Sequence, residues 1–251
     1  MKKEIHKNIS VGSDEDILEQ LRKIKPETMA LDDIGLSALF IMLYGPYCRY
    51  CSEEGVWYSY NGKYWANEMK TPIIAKAYAK AFQRNLCKYG SNCIKDDVKR
   101  NSFLKVVAKY GSNKYLDNLL ACAKSCDPIS KDIFNQNPDL FNCQNGTYNL
   151  KTHEFKPHDY KDYLTQISNV IYDPKASSNL WVKTIAKIMD YNREKIEYLQ
   201  RMCGYSITAD SSLENFFICW GETTRNGKST VLETLARMMG DYADTLDPAS
   251  L

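Results

Sequence analysis

Polar and apolar positions fall into two rhythms along this chain, one helical and one alternating, and together they outline most of its elements. Ile17, Leu21 and Ile24 recur at one-turn spacing, Ser13 stands where an N-cap belongs and acids fill 14–16. That pattern predicts a short amphipathic helix over 13–24, which Pro26 ends. A second, more apolar helix is predicted from Asp33 to Leu43. VWYSYNGKYW at 56–65 alternates about Asn61-Gly62, the signature of a hairpin with a type I′ turn. Thr71-Pro72 opens a helix to Lys88, since proline suits a first helical position, and two more follow at 94–109 and 113–125. KYGSN occurs at 88–92 and again at 109–113, and each copy is expected to end one helix and start the next. Residues 140–156 form a second turn-rich β segment around Asn145-Gly146. Trp181, Ile185, Ile188 and Met189 then mark one helical face, and Ile196, Leu199 and Met202 mark a further helix, which Gly204 is expected to stop.

This helical pair leads into the strongest chemical signal, ENFFICWGETTRNGKSTVLETLARMMG at 214–240. Asn215 to Trp220 is dense in aromatic and β-branched residues, which predicts a buried strand. From Ser229 to Met239, Val231, Leu232, Leu235, Met238 and Met239 follow helical spacing, with Gly240 as the C-terminal cap. A turn between strand and helix aims backbone N–H groups and the positive end of the helix dipole at one spot, which suits a phosphate. Gly227 lets the backbone approach, Lys228 adds charge for the β- and γ-phosphates, and the Ser229 hydroxyl suits Mg²⁺. Five residues separate Gly221 from Gly227, one more than the usual signature, and Glu222 stands where its first glycine would fall. The candidate nucleotide-binding set is Gly221, Thr224, Arg225, Asn226, Gly227, Lys228, Ser229 and Thr230.

A formal net charge of +2 conceals a segregation. Residues 70–131 hold 13 Lys/Arg against 4 Asp/Glu, a net of +9, while the remainder holds 20 against 27, a net of −7. Lys76, Lys80, Arg84 and Lys88 are successive i+4 neighbours, expected to lie opposite Ile74, Ala77, Tyr78 and Ala81, and Lys99 and Arg100 continue the theme on the next helix. Such a stripe is either a solvated helix face or a surface for a polyanion. Trp57, Tyr58, Tyr60, Tyr64 and Trp65 are either cross-strand packing or platforms for unpaired bases.

At 251 residues and 44% hydrophobic, the chain can bury a sizeable core divided among two or more units. The longest apolar run, 35–45, is too short to span a bilayer, and the basic start lacks the apolar core of a secretion signal. Nine scattered cysteines read as reduced, cytosolic thiols. Cys48-Cys51 and Cys122-Cys126 would make a zinc site only if two pairs about 70 residues apart met. His153 and His158 lie in the turn-rich β segment, and no spacing marks a Cys–His nucleophile.

Three blocks then carry a resemblance: DLFNCQNGTYNLKTHEFKPHDYKDYLTQISNVIYDP, WVKTIAKIMDYNREKIEYLQRMCGYSIT, and FFICWGETTRNGKST with its MMGDYADTL continuation. They resemble the phage/plasmid primase–helicase family, shared with poxvirus-type primase-helicases, whose motor is a superfamily 3 helicase. The similarity runs over roughly 30–251 and includes RYC and WYSYNGKYW near 49–65; Asn226-Gly227-Lys228-Ser229 matches the NGKS form of that family's phosphate loops. It implies an α+β chain, largely helical with β-hairpins, leading into the first strand–P-loop–helix of an AAA+-like α/β ATPase domain. The implied layout is a tail and short helix at 1–29, an α+β domain at 30–165, a helical collar at 166–212 and the start of the ATPase at 213–251.

The resemblance further implies ATP and Mg²⁺ as cofactors, with Lys228 catalytic, and DNA, single-stranded or forked, as partner. A homo-oligomeric ring, a separate primase and a phage- or mobile-element-encoded protein in the bacterial cytoplasm belong to the same expectation. So do a Walker B acid and a neighbouring subunit's arginine, for which the 11 residues after Gly240 leave no room, so a truncated helicase is expected. The alternative is a non-enzymatic fragment that binds single-stranded DNA through Lys76, Lys80, Arg84, Lys88, Lys99 and Arg100, or that oligomerises. A small P-loop kinase would need an acceptor site and lid after the loop.

Overall fold

The computed structural model describes residues 13–221 and 225–247. Among them the fold is α+β, about half helical, with two small antiparallel sheets. The chain divides into two compact units, 1–134 and 135–251.

In the first unit the N-terminal pattern folds as its spacing dictates. Ser13 and Asp16 form a reciprocal capping box at the start of α1 (Asp14–Ile24), and Ile17 and Leu21 are buried. Asp32 caps α2 (Asp33–Tyr44), whose Leu36, Leu39, Phe40 and Leu43 sit at the centre of the core. A helix apolar on nearly every side must be covered on nearly every side. Here α3 (Ile73–Cys93) and α5 (Asn113–Ala123) cover α2, while α1 and α4 (Asp97–Lys109) pack on α3. The first KYGSN lies inside α3 rather than ending it: Gly90 gives the close approach of α4, since a Cβ there would come within 2.8 Å of Phe103 and Leu104. The second KYGSN makes the α4–α5 turn.

The sheet of this unit runs β1-β2-β3, formed by Cys48–Cys51, Val56–Tyr60 and Trp65–Glu68. Its first strand, four residues with both ends buried, is too short to show a period in sequence. The hairpin forms, but not around Asn61-Gly62. Tyr60 pairs with Trp65 and the Asn61 N–H donates to the Tyr64 carbonyl, which leaves Gly62 and Lys63 as the central residues. Only Gly62 has positive φ, at 98°, so the turn is not type I′, which needs both. The Asn61 carboxamide instead accepts from the Lys63 and Tyr64 N–H groups.

The second unit begins with a meander of β4 (Leu140–Cys143), β5 (Gly146–Asn149) and β6 (Glu154–Lys156). Cys143 pairs with Gly146, so the tight turn is Gln144-Asn145 and Gly146 is the first residue of a strand. Helices α6 (Asn179–Ile188) and α7 (Arg193–Ser206) follow, and α7 runs through Gly204, where a Cβ would meet open space, instead of stopping there. The last helix, α8 (Lys228–Met239), packs on both through Ile185, Leu199 and Val231. Its far end is clipped down by Asn169, which donates through its backbone and carboxamide to the Met238 and Arg237 carbonyls at 3.1 and 2.9 Å. Tyr242 then stacks on Phe141 at 4.9 Å and accepts from the Asn142 N–H.

One expected element does not form. Residues 215–220 make no strand pairing among the described residues, so a P-loop ATPase fold is not shown. Their β-propensity is real, but a strand needs a neighbour to take its N–H and C=O groups. Both sheets are composed of other segments, and Phe216, Ile218 and Trp220 stand 82%, 78% and 77% exposed instead of buried.

Candidate functional site

Three of the candidate nucleotide-binding residues, Gly221, Asn226 and Lys228, line a cleft of about 1040 Å³ inside the second unit. One wall is α7, another is the extended segment 216–221, and Asn226, Lys228 and Val231 close it at the start of α8. Gly227 takes φ 85°, ψ 3° as the N-cap of α8, a conformation that glycine adopts without penalty. A Cβ there would also fall 2.5 Å from Ile188 Cδ1, so Gly227 lets α8 begin directly against α6. Lys228 is half-buried and reaches toward Gly221; its Nζ lies 3.5 Å from where a Cβ of Gly221 would be. The Asn226 carboxamide crowds the same spot.

Gly221, Asn226, Gly227 and Lys228 are thus gathered at one mouth. Arg225 is exposed with φ 61°, and Ser229 and Thr230 are exposed on the first turn of α8. Thr224 lies outside the described residues. The donor set suits a polyphosphate. Among the described residues no side chain caps α8, and its first turn carries no acid, so the helix start presents N–H groups and one ammonium to an anion. Ser229 offers a hydroxyl to a hard cation held by such phosphates, as magnesium would be. Among the described residues, no group of three or more His, Cys, Asp or Glu is arranged to hold a metal.

The α7 wall was not singled out by sequence. Glu194, Lys195, Tyr198, Leu199 and Met202 share one helical face, which spacing alone shows but whose outlook it cannot. Asp190 and Tyr191 take consecutive left-handed conformations at φ 51° and 57° in the turn before α7, and Asp190 lines the cleft.

The basic helices of the first unit are less uniform than their sequence. Lys76 pairs with Asp117 on α5 at 2.6 Å and Lys88 with Asp14 on α1 at 2.5 Å, so both ends of the stripe are neutralised. The ion pair with Lys88 holds the Asp14 carboxyl below its ordinary range. Arg100 pairs with Asp97, and Lys99 is exposed. Lys80 and Arg84, in the middle of α3, are exposed and make no ion pair among the described residues. The buried face opposite is Ala75, Tyr78, Ala79, Phe82 and Leu86, rotated from the expected Ile74, Ala77 and Ala81. The aromatic hairpin packs inward: Trp57, Tyr58, Tyr60 and Trp65 are all buried, and Tyr64 is half-buried. Cys48 and Cys51 are buried too, and desolvation pushes the Cys48 thiol far up.

A family model described as D5 N terminal like matches residues 37–190. The chain belongs to this family. It therefore carries the N-terminal domain of phage and viral D5-type primase-helicase proteins, as the resemblance implied at this coarser level. No curated protein matched the chain. The D5-type match takes in β1 to α6 and ends two residues into the turn before α7, so the phosphate-loop residues lie beyond it. No helix among the described residues is long and apolar enough to cross a membrane.

Proposed function

We propose that this chain is the ATP-binding part of a phage or plasmid replicative DNA helicase of primase–helicase type. The observation that carries the reading is a D5-type N-terminal domain followed by α8, a helix that opens at Gly227-Lys228-Ser229 with an uncapped start. Lys228 and the first N–H groups of α8 would hold the β- and γ-phosphates, and the Ser229 hydroxyl would hold Mg²⁺. Bound ATP-Mg²⁺ would supply the phosphoryl group whose hydrolysis drives unwinding. In that role Lys228 positions and neutralises; it moves no proton. A homo-oligomeric ring and a bacterial cytoplasmic setting belong to the same proposal.

The test is a titration of the purified chain with ATP-Mg²⁺. Saturable binding that Lys228→Ala weakens by at least about tenfold, the scale of one charge-assisted phosphate contact, supports the proposal. An absence of affinity, with Lys228→Ala indistinguishable from the parent, overturns it.

A second reading rests on a separate observation, the unpaired Lys80 and Arg84 on α3. They favour single-stranded DNA as a partner of the first unit, held through phosphates rather than stacked bases, because the hairpin aromatics are committed to the core.

A further inference from the structure

The cleft beside Lys228 is larger than a row of phosphates needs, and its far wall adds a tyrosine ring and carboxylates to the groups at its mouth. At the mouth stand Lys228, Asn226 and the helix start. Along α7 and the turn before it stand Tyr198, 58% exposed, Lys195, and the carboxylates of Glu194 and Asp190. Leu199 and Val231, both buried, line the floor between them. Among the described residues the Tyr198 ring has no ring neighbour, and neither carboxylate is in an ion pair. Ordinary helix surfaces do carry exposed tyrosines and acids. Here, however, an unengaged aromatic and two carboxylates line the same cavity as the cationic mouth, over an apolar floor. That combination matches a ligand with a flat, amino-bearing aromatic body at one end and an anionic tail at the other. A volume of about 1040 Å³ stands at the upper end of the usual small-molecule range, which reaches about 1,000 Å³.

We infer that the α7 wall is a nucleobase pocket for an amino-purine nucleoside triphosphate, in which Tyr198 stacks on the base and Glu194, with Asp190 beside it, accepts from the base's amino edge. The inference rests on the phosphate-site reading above and adds to it the base that the cleft selects. Stacking on an aromatic face is indifferent to which purine is bound. A carboxylate accepts one bond from the adenine amino group and two from the N1–H and amino group of guanine, whereas uracil offers it a single N–H set between two carbonyls that repel it. The same wall therefore favours ATP and GTP over UTP, and loses that preference when Glu194 loses its charge.

Calorimetric titration of the full chain with ATP, GTP, UTP and inorganic tripolyphosphate tests this, in the parent, Tyr198→Ala, Tyr198→Phe and Glu194→Gln proteins. Because Tyr198 and Glu194 are exposed, none of these substitutions empties a core. The expected result is about tenfold weaker ATP and GTP binding by Tyr198→Ala, parental binding by Tyr198→Phe, and unchanged tripolyphosphate binding throughout. Glu194→Gln should narrow the gap between the purine nucleotides and UTP, and the ratio of ATP to GTP affinity tells which amino-purine is preferred. Equal binding of ATP and UTP by the parent, or equal losses of ATP and tripolyphosphate in Tyr198→Ala, overturns the base pocket while leaving the phosphate site standing. A parent that binds neither tripolyphosphate nor ATP overturns both.

Discussion

Burial decides what single residues do in this protein, and the tyrosines give the clearest case. Desolvation raises Tyr44 in the first unit and Tyr242 in the second to about 12, from an ordinary value of 10. Each hydroxyl is also engaged, Tyr44 accepting from the Asn85 carboxamide and Tyr242 from the Asn142 N–H. A folded state that keeps its phenolic protons longer than the unfolded chain is favoured at full strength below pH 10. It loses that advantage as pH climbs from about 10 to 12. Alkaline titration followed by circular dichroism should show unfolding in that window, with Tyr242→Phe removing the contribution of that tyrosine. A fold indifferent to pH up to 12 would contradict this account. The lysines show the same dependence on surroundings. Lys76, Lys80, Arg84 and Lys88 look equivalent by spacing, yet Asp117 and Asp14, from other helices, neutralise the two end members. Partners 41 and 74 residues away leave no local trace.

Elements were legible where their signals are local. The Ser13 cap of α1, the apolar run of α2 and the one-turn spacing of α6, α7 and α8 all follow from neighbours within four residues. The start of α3 shows what such reading misses. Proline at 72 marks the entry, but the cap comes from the preceding strand: Glu68 accepts from the Ile74 and Ala75 N–H groups at 2.5 and 3.0 Å. The same carboxylate accepts from the buried Ser59 hydroxyl at 2.8 Å. Glu68→Ala should cost about 1–3 kcal/mol, from the lost cap and from a buried hydroxyl left with only the weak Cys48 Sγ acceptor. Thermal unfolding should then fall by several degrees. An unchanged midpoint would show that water replaces the carboxylate at no cost. Turn centres were also displaced, to Gly62-Lys63 and Gln144-Asn145, because register is set by the pairing of whole strands and not by the strongest turn dipeptide.

At the scale of the whole molecule, the basic excess of residues 70–131 falls entirely in the first unit and the phosphate-loop residues entirely in the second. The two proposed contacts can therefore be separated experimentally. Replacing Lys80 and Arg84 by glutamine should weaken single-stranded DNA binding by the first unit's surface. It should also flatten the dependence of log K on log salt by about 1.4, at about 0.7 per phosphate contact. ATP binding should not change. Replacing Lys76 and Lys88 should flatten it less, since their charges are already matched by carboxylates. Equal slopes for all these variants would reduce the stripe to solvated surface.

The sequence by itself determined an α+β chain, most of its helices, the two turn-rich β segments, and the residues that open α8, because each depends on spacing within a few positions. Its three blocks also pointed to the primase–helicase family that the D5-type match shows at the level of the N-terminal domain. Tertiary structure decided the rest. It left Asn215–Trp220 without a strand partner among the described residues despite its composition, since pairing is a property of two segments and propensity of one. It neutralised half of the basic stripe through Asp14 and Asp117. It also turned one face of α7 toward Lys228, bringing Tyr198 and Glu194 to the same cleft as Gly221 and Asn226. Helical spacing says which residues share a face; only packing says what that face looks out on.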